Sequence, residues 1–198
     1  MNRWLLIILV VSASVMFFGI TRKTNKFDKP SMIVQPSKEV SAFVPLSEAT
    51  NSEGNLKLVG MAQKMREGGN SYSLKVMDTI KKTEIPLYNT IADLGSSITI
   101  PFNSWSPDYK QVFIKISSPG GENYYLFKAN GEPYDDGKKY IIVGDYWGET
   151  KTTNKINKIS GWAGPDLMMV YTTNKDGEHG PSYWFVTSSR KFLQVREM

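Results

Sequence analysis

Residues 103–114, NSWSPDYKQVFI, contain a tryptophan, a Pro-Asp pair and an apolar run in close succession, and the aromatic run Tyr124–Phe127 follows after a glycine-rich turn. Residues 160–171, SGWAGPDLMMVY, repeat this order, and Tyr183–Val186 follow them after an Asp-Gly turn. In each copy the Pro-Asp pair favours a tight turn into the next strand, and the tryptophan is suited to pack between sheets. The repeat therefore predicts an all-β fold built from similar strand–turn–strand units.

The remainder of the chain after residue 55 also alternates short apolar runs with turn signals. The runs are rich in β-branched and aromatic residues, which favour strands. Asn-Gly and Asp-Gly pairs between them supply the positive φ that tight hairpins require. This pattern predicts an antiparallel meander, with a helix only around Gln63–Glu67. The predicted strands are Leu56–Met61, Tyr72–Met77, Ile98–Phe102, Val112–Ile116, Tyr124–Phe127, Tyr140–Val143, Met168–Thr172 and Tyr183–Val186.

The first copy of the repeat resembles the blade motif of TolB-like β-propellers, which reads Trp-Ser-Pro-Asp-Gly before an apolar strand. Residues Trp105–Asp108 match this motif, and Tyr109 stands in place of the glycine. The second copy, Trp162–Asp166, is degenerate because two residues separate the tryptophan from Pro-Asp, one more than in the motif. A third degenerate unit covers Leu56–Asn89. The resemblance implies propeller-like open sheets, about three degenerate blades, and no particular activity, since such folds host enzymes and scaffolds alike.

The number of blades leaves the architecture open. Closed propellers need about four to eight blades, which is more than this chain holds. The resemblance therefore implies an open or decayed propeller-like arrangement, a ring completed by association, or a small sandwich with propeller-like hairpins.

The N-terminal residues predict a membrane anchor. The segment Trp4–Ile20 contains no charged residue and has basic residues on both sides. A membrane-spanning helix needs roughly 17–25 apolar residues, so residues 1–22 are predicted to form an uncleaved signal-anchor transmembrane helix. The alternative is a cleaved secretory signal with its cleavage site at Val11–Ala13.

Residues 23–54 are predicted to form a flexible tether, because they are polar and contain three prolines. Within them, Glu39–Leu46 could add to the body as an edge strand. Residues 55–198 are predicted to fold as a β-rich, propeller-like domain that is long enough for a sizeable core. The Lys and Arg count beside the anchor favours a cytoplasmic body, but an N-terminal apolar segment normally acts as an export signal. We therefore expect the body to lie outside the cytoplasm.

Composition excludes several kinds of catalytic site. The chain has no cysteine and one histidine, which excludes disulfides, cysteine nucleophiles, iron–sulfur clusters and multi-histidine metal sites. His179 lies in turn-like sequence and no Gly-x-Ser-x-Gly elbow occurs, so no serine triad is predicted. The carboxylates show no spacing that selects a catalytic pair. We therefore predict a protein that is not an enzyme and has no catalytic residue, metal or cofactor.

The net charge of +5 comes from dispersed lysines and does not predict nucleic-acid binding. The anchor, tether and β-rich body favour a membrane-anchored extracytoplasmic module that takes part in protein–protein interaction, in an envelope-associated binding or scaffold role. The alternative is a glycan- or cell-wall-binding module that uses exposed aromatic residues. Tyr146 and Trp147 are the candidate binding residues, since adjacent residues of a strand point to opposite faces. The partner and the oligomeric state stay open.

Deleting residues 1–23 is expected to yield a soluble, folded protein, because a polar, proline-containing segment separates the apolar segment from the body. Circular dichroism of the shortened chain should show a β-type spectrum. Recovery only as an aggregate, or a mainly helical spectrum, would contradict the predicted separation of anchor and body.

Overall fold

Three antiparallel sheets of four strands each form the part of the chain that the structure, a computed structural model, describes: residues 41–66 and 68–195. Within every sheet, strands that follow one another in sequence are also neighbours in space, so each sheet is a meander. The predicted all-β, antiparallel fold is confirmed.

The first sheet consists of β1 (Val44–Thr50), β2 (Leu56–Lys64), β3 (Asn70–Asp78) and β4 (Thr83–Ala92). The second sheet consists of β5 (Ser97–Thr99), β6 (Gln111–Ser118), β7 (Gly121–Lys128) and β8 (Ile141–Ile142). The third sheet consists of β9 (Lys155–Gly164), β10 (Leu167–Thr173), β11 (Tyr183–Val186) and β12 (Lys191–Gln194). A 3-10 helix, Val143–Thr150, connects the second sheet to the third and is the one helix among the described residues.

Alternating burial explains why these segments form strands. In β3, Tyr72, Leu74 and Val76 are buried, while the residues between them are half-buried. Because successive side chains of a strand point to opposite faces, this pattern gives the first sheet one apolar face. The hairpin between β10 and β11 contains Gly177, whose φ of 84° is the left-handed conformation that an Asp-Gly pair predicts.

The structure differs from the sequence-based expectation in two places. β1 lies inside the predicted tether, residues 23–54, and pairs with β2 as an edge strand. It shares Val44–Leu46 with the edge strand considered at Glu39–Leu46 and continues to Thr50. Pro45 is tolerated there because β1 is an edge strand, on which one side needs no hydrogen bonds. The helix predicted around Gln63–Glu67 is wrong, because its first two residues continue β2 and pair with β3.

The predicted transmembrane helix, residues 1–22, and the tether up to residue 40 lie outside the described residues. Among the residues that the structure does describe, no helix is both long and apolar enough to cross a membrane. Of the predicted β-rich domain, residues 55–198, all but Glu67 and the last three residues are described.

Two apolar cores lie between the sheets, and the second sheet contributes to both. The core between the first and second sheets contains Leu58, Leu74, Val76, Val112, Ile114 and Phe127. The core between the second and third sheets contains Phe113, Tyr124, Leu126, Met168, Val170 and Phe185. Val112 and Phe113 are adjacent in β6 and both fully buried, because β6 is covered on both faces. The sheets are therefore stacked face to face, with the second sheet in the middle.

Each sheet has one cross-strand residue pair at an equivalent position, next to the loop that leads into its second strand. The equivalent pairs are Thr50 with Lys57 in the first sheet, Trp105 with Val112 in the second, and Trp162 with Met168 in the third. This correspondence aligns the two tryptophans with each other, as the sequence repeat predicts. It also places Thr50 at the tryptophan position of the first sheet.

The two tryptophans link successive sheets by equivalent hydrogen bonds. Trp105 Nε1 donates to the carbonyl of Ala49 at 2.9 Å, and Trp162 Nε1 donates to the carbonyl of Ser104 at 3.1 Å. Ala49 directly precedes Thr50, just as Ser104 directly precedes Trp105. The second sheet is therefore tied to the first in the same way as the third is tied to the second.

Replacing Trp105 by alanine is expected to lower the free energy of unfolding by about 3–5 kcal/mol, the usual cost of truncating a buried large aromatic side chain. Trp105 is 9% exposed and would lose both its packing and its hydrogen bond to Ala49. Trp162→Ala should cost less, because that side chain is half-buried. The midpoints of urea unfolding measure both effects.

Trp105→Phe is the matched control for this experiment. It keeps an aromatic ring in the core and removes the indole donor, so the expected loss is nearer the net value of one hydrogen bond, about 1 kcal/mol. An unfolding midpoint for Trp105→Ala equal to that of the unchanged chain would contradict the role assigned to this side chain.

Candidate functional site

Tyr146 and Trp147, the candidate binding residues, lie on the 3-10 helix Val143–Thr150 rather than on a strand. Both side chains are half-buried and pack against the core between the second and third sheets. The Trp147 ring lies edge-on against the rings of Tyr183 and Phe192, with centroids 5.0 and 4.8 Å away. Its Nε1 donates to a backbone carbonyl of the following loop at 2.9 Å. These contacts hold Trp147 against the third sheet.

Tyr146 belongs to a charged and aromatic cluster beside β12. Its ring packs on Phe185 with centroids 6.1 Å apart, and its hydroxyl accepts a hydrogen bond from Arg190 Nη1 at 3.3 Å. The same guanidinium pairs with Asp136 at 2.6 Å and lies 5.9 Å from the ring centroid of Tyr134. Burial raises the pKa of the Tyr134 hydroxyl well above its usual value. The structure thus brings both candidate residues into packed clusters and not onto one open surface.

A cleft of about 710 Å³ opens where the β3–β4 hairpin meets the loops that follow β5, β7 and β11. Its charged lining residues are four basic and four acidic: Lys81, Lys110, Lys128, Arg190, Asp78, Glu132, Asp135 and Asp166. Several of them pair with a nearby opposite charge, as Lys128 does with Asp135 at 3.9 Å. Because these charges balance and pair locally, the walls of the cleft do not select one class of ligand.

Two acidic residues of the repeat, Asp108 and Asp166, stabilise turns. Asp108 accepts hydrogen bonds from the Ser106 hydroxyl at 2.8 Å and from the backbone N–H of Lys110 at 3.2 Å. Asp166 likewise accepts hydrogen bonds from the loop after β11. Such side-chain bonds to neighbouring backbone are typical of turn residues. His179 is exposed, and within residues 41–66 and 68–195 no three His, Cys, Asp or Glu side chains are grouped to hold a metal ion.

Each sheet has a row of three cross-strand neighbours on one face. In the first and second sheets, this is the face that packs against the following sheet. The rows begin at the residue after Lys57, Val112 or Met168, so they occupy equivalent positions. The cross-strand partners are Leu58, Val76 and Ile85 in the first sheet, Phe113, Leu126 and Ile141 in the second, and Met169, Trp184 and Leu193 in the third.

The next sheet covers the first two rows, whereas the third row is uncovered by any described sheet. Members of the first row lie in or against the core between the first and second sheets, and members of the second row lie in the core between the second and third. In the third row, Met169 and Trp184 are half-buried and Leu193 is 51% exposed. These three residues belong to neither core.

The third row is part of a larger apolar surface, which we call the open face. It consists of Leu167, Met169, Tyr171, Trp184, Val186 and Leu193. Tyr171 is 37% exposed, and Lys158 Nζ lies 5.4 Å from its ring centroid. The Trp184 Nε1 is buried without a hydrogen-bond partner among the described residues, unlike the indoles of Trp105 and Trp162. A continuous apolar sheet face of this kind is typical of an interaction surface.

The free face of the first sheet carries two ion pairs among apolar residues such as Val59 and Met77. Lys57 stands where the second and third sheets have Val112 and Met168, and its Nζ pairs with Glu48 at 2.9 Å. Lys75, on the next strand, pairs with a glutamate at 2.7 Å. A polar outer face is typical of the terminal unit that caps a stack of repeats. The stack therefore has one end that carries ion pairs and one end whose central row is apolar.

Sequence reasoning identifies β10 and β11 as strands but does not find the open face. The signal for it lies in Leu167–Tyr171, LMMVY, which is apolar on both faces of the strand, whereas Tyr72–Met77 is mainly apolar on one face. A strand that is apolar on both faces predicts a covering layer on both sides. Which side lacks such a layer depends on the register between the sheets, and alternation within one strand does not provide that register.

No protein-family model matches the chain, and a search of curated proteins finds no match. The TolB-like resemblance therefore rests on Trp105–Asp108 and its degenerate copies.

The ion pair between Arg190 and Asp136 is expected to make the stability of the fold depend on pH in the acid range. The hydrogen bond from the Arg190 guanidinium lowers the pKa of Asp136 from 3.8 to about 2. Because the folded-state pKa lies below the unfolded one, this contribution is present above about pH 4 and is lost as the pH falls toward about 2. Thermal midpoints should fall across this range, and Asp136→Asn should show a smaller fall. Identical pH profiles for the two chains would contradict this assignment.

Proposed function

We propose that this chain is a membrane-anchored, extracytoplasmic module that binds another protein through its open face and catalyses no reaction. The membrane anchor and the orientation rest on the apolar segment Trp4–Ile20 at the N-terminus. The binding surface rests on one observation: in the row Met169–Trp184–Leu193, Leu193 is exposed and the other two are only half-buried, at positions that a neighbouring sheet covers elsewhere in the fold. Its role is that of an envelope-associated binding or scaffold protein.

The three sheets are proposed to be degenerate propeller-like blades. Each is a four-stranded meander, and the shared register at Thr50, Trp105 and Trp162 supports a repeated unit. The repeated indole hydrogen bond to the preceding sheet supports the same reading. In this interpretation the stack is an open arrangement, and no other blade among residues 41–66 and 68–195 packs on the outer face of the third sheet.

The composition of the open face suits protein binding. Completely burying a Leu, Met or Val side chain contributes about 1.5–3 kcal/mol relative to leaving it exposed, and the half-buried members of the open face would contribute less. Tryptophan and tyrosine are enriched among the residues that dominate binding energy at interfaces. Trp184 lies on β11, an inner strand of the third sheet, so it occupies the centre of the surface.

The partner surface is expected to be flat, and apolar at its centre. The open face is one side of a β-sheet, and a second sheet packs on such a face at about 10 Å. The described neighbours of the row Met169–Trp184–Leu193 offer no carboxylate to pair with a basic partner, since the nearby charges are Lys158 and Lys191. A sheet with its own uncovered apolar face fits these requirements.

Glycan binding through Tyr146 and Trp147 remains the alternative prediction. It requires an aromatic ring whose face is free to stack on a sugar. The Trp147 ring has edge-on contacts with Tyr183 and Phe192, and the Tyr146 hydroxyl is bonded to Arg190. These contacts favour a packing role for the two residues, so we place the binding surface on the open face.

The proposal is tested by photo-crosslinking of the full chain in the membranes that hold it. A photoreactive phenylalanine analogue is placed at Leu193 on the open face and, as a matched control, at Val59 on the free face of the first sheet. We expect one protein adduct of defined mass from position 193 and none from position 59. Tyr171→Asp should weaken the adduct, because it puts a charge into the apolar surface.

Equal adducts from the two positions would contradict binding through the open face, and so would the absence of any adduct from position 193. An adduct that persists unchanged with Tyr171→Asp would also contradict it. Because Tyr171 is 37% exposed, this substitution is expected to leave the fold intact, which the urea midpoint of the variant verifies.

A further inference from the structure

We infer that the surface that covers the open face is the open face of a second copy of this chain, related to the first by a two-fold axis. This inference rests on the proposed function and names the partner. It follows from three features of the described residues: the charged free face of the first sheet, the position of the lysines around the open face, and the fit of the open face to itself.

Head-to-tail stacking, in which the open face of one copy meets the first sheet of the next, is disfavoured by two substitutions in the repeat. Thr50 stands at the tryptophan position of the first sheet, so that sheet has no indole there to donate to a preceding sheet. Lys57 stands where the other sheets place Val112 or Met168 in a core. The junction would therefore lack the hydrogen bond that links the sheets within one chain.

Head-to-tail stacking would also bury charge. The Lys57–Glu48 and Lys75–Glu84 ion pairs, at 2.9 and 2.7 Å, lie on the free face of the first sheet and are partly exposed to water. Moving an ion pair out of water carries a desolvation penalty that can exceed the attraction between its charges. The open face would have to cover both pairs in such an assembly, so the charged end opposes this contact.

The layout of the open face is that of an interface with an apolar centre and a charged rim. Met169 and Trp184 lie on β10 and β11, the inner strands of the third sheet. Lys158 and Lys191 lie on β9 and β12, its edge strands. Stable protein interfaces place apolar and aromatic residues at the centre and solvated polar residues at the rim.

A two-fold arrangement lets one patch serve as both surfaces. In a two-fold dimer the same patch of both copies forms the contact, so a surface must complement itself. The open face meets this condition at its centre, because its six members are uncharged and two copies would bring apolar side chains together. Lys158 and Lys191 lie on the same face but on its edge strands, where their exposed side chains can stay in water. The charged free faces of the two first sheets would then point away from the contact and stay in water.

The predicted membrane anchor would assist this association. Two anchored chains share one membrane surface, which raises their effective concentration over that of free chains. A contact of modest strength could then be occupied in the membrane, although it is weak for the isolated body.

The inference is tested by cross-linking single thiols in the purified full chain in detergent micelles. The chain has no cysteine, so Leu193→Cys and Val59→Cys each introduce the sole thiol of the protein. A short bis-maleimide then joins thiols that two copies bring close together. We expect covalent dimers from Leu193→Cys and only background from Val59→Cys.

A second substitution separates the open face from the predicted anchor as the source of dimers. Combining Leu193→Cys with Tyr171→Asp should lower the dimer yield by about tenfold or more, because the added charge would have to be desolvated in the contact. Dimers that form through the anchor would be insensitive to Tyr171→Asp and would contradict the inference. A mixture of Leu193→Cys and Val59→Cys chains that yields mainly mixed dimers would show head-to-tail stacking and overturn it.

The outcome also separates this inference from the proposed function. If Leu193→Cys gives no dimer while the photoreactive group at position 193 still captures a different protein, the second copy is overturned and protein binding stands. If neither experiment gives an adduct from position 193, both are overturned. If the photo-adduct has the mass of two copies of this chain, both are supported.

Discussion

The fold depends on each sheet covering an apolar face of its neighbour. A single four-stranded meander would leave both of its faces in water. In this fold the adjacent β6 residues Val112 and Phe113 are both buried, because a sheet packs on each face of the second sheet. The indole of Trp105 or Trp162 fixes the same offset between neighbouring sheets at both junctions. Because the offset repeats, equivalent rows of side chains face the next sheet each time. The third row has no sheet packed on it, since the described residues contain no fourth sheet.

The two ends of the stack are chemically different, and this difference supports a specific mode of association. The first sheet carries Thr50 and Lys57 where its neighbours carry a tryptophan and a core residue. It therefore ends the stack with a solvated face, as capping units of repeat proteins do. The third sheet carries Met169 and Trp184 where the other sheets carry buried residues, so it presents a surface that is suited to continued packing.

The sequence predicted the parts of this structure that depend on local patterns. Alternating apolar residues and Asp-Gly turns gave the antiparallel strands, and the shared Trp and Pro-Asp order aligned Trp105 with Trp162. The sequence suggested an edge strand at Glu39–Leu46 but not the extent of β1 to Thr50, because the seven residues of β1 are mostly exposed and their pairing depends on β2. The open face was not predictable from β10 alone. A strand that is apolar on both sides needs the inter-sheet register before one can tell which side is covered.

The most direct test of this account is the rate at which a thiol reagent labels single cysteines at two equivalent positions of the rows, Ile141→Cys and Leu193→Cys. In dilute protein, Leu193→Cys should react rapidly, whereas Ile141→Cys should be protected because the third sheet covers a residue that is 1% exposed. Raising the protein concentration should slow labelling at position 193 alone, as a second copy covers the open face. Equal protection of both positions in dilute protein would contradict the uncovered third row, and a rate at position 193 that is independent of concentration would contradict self-association.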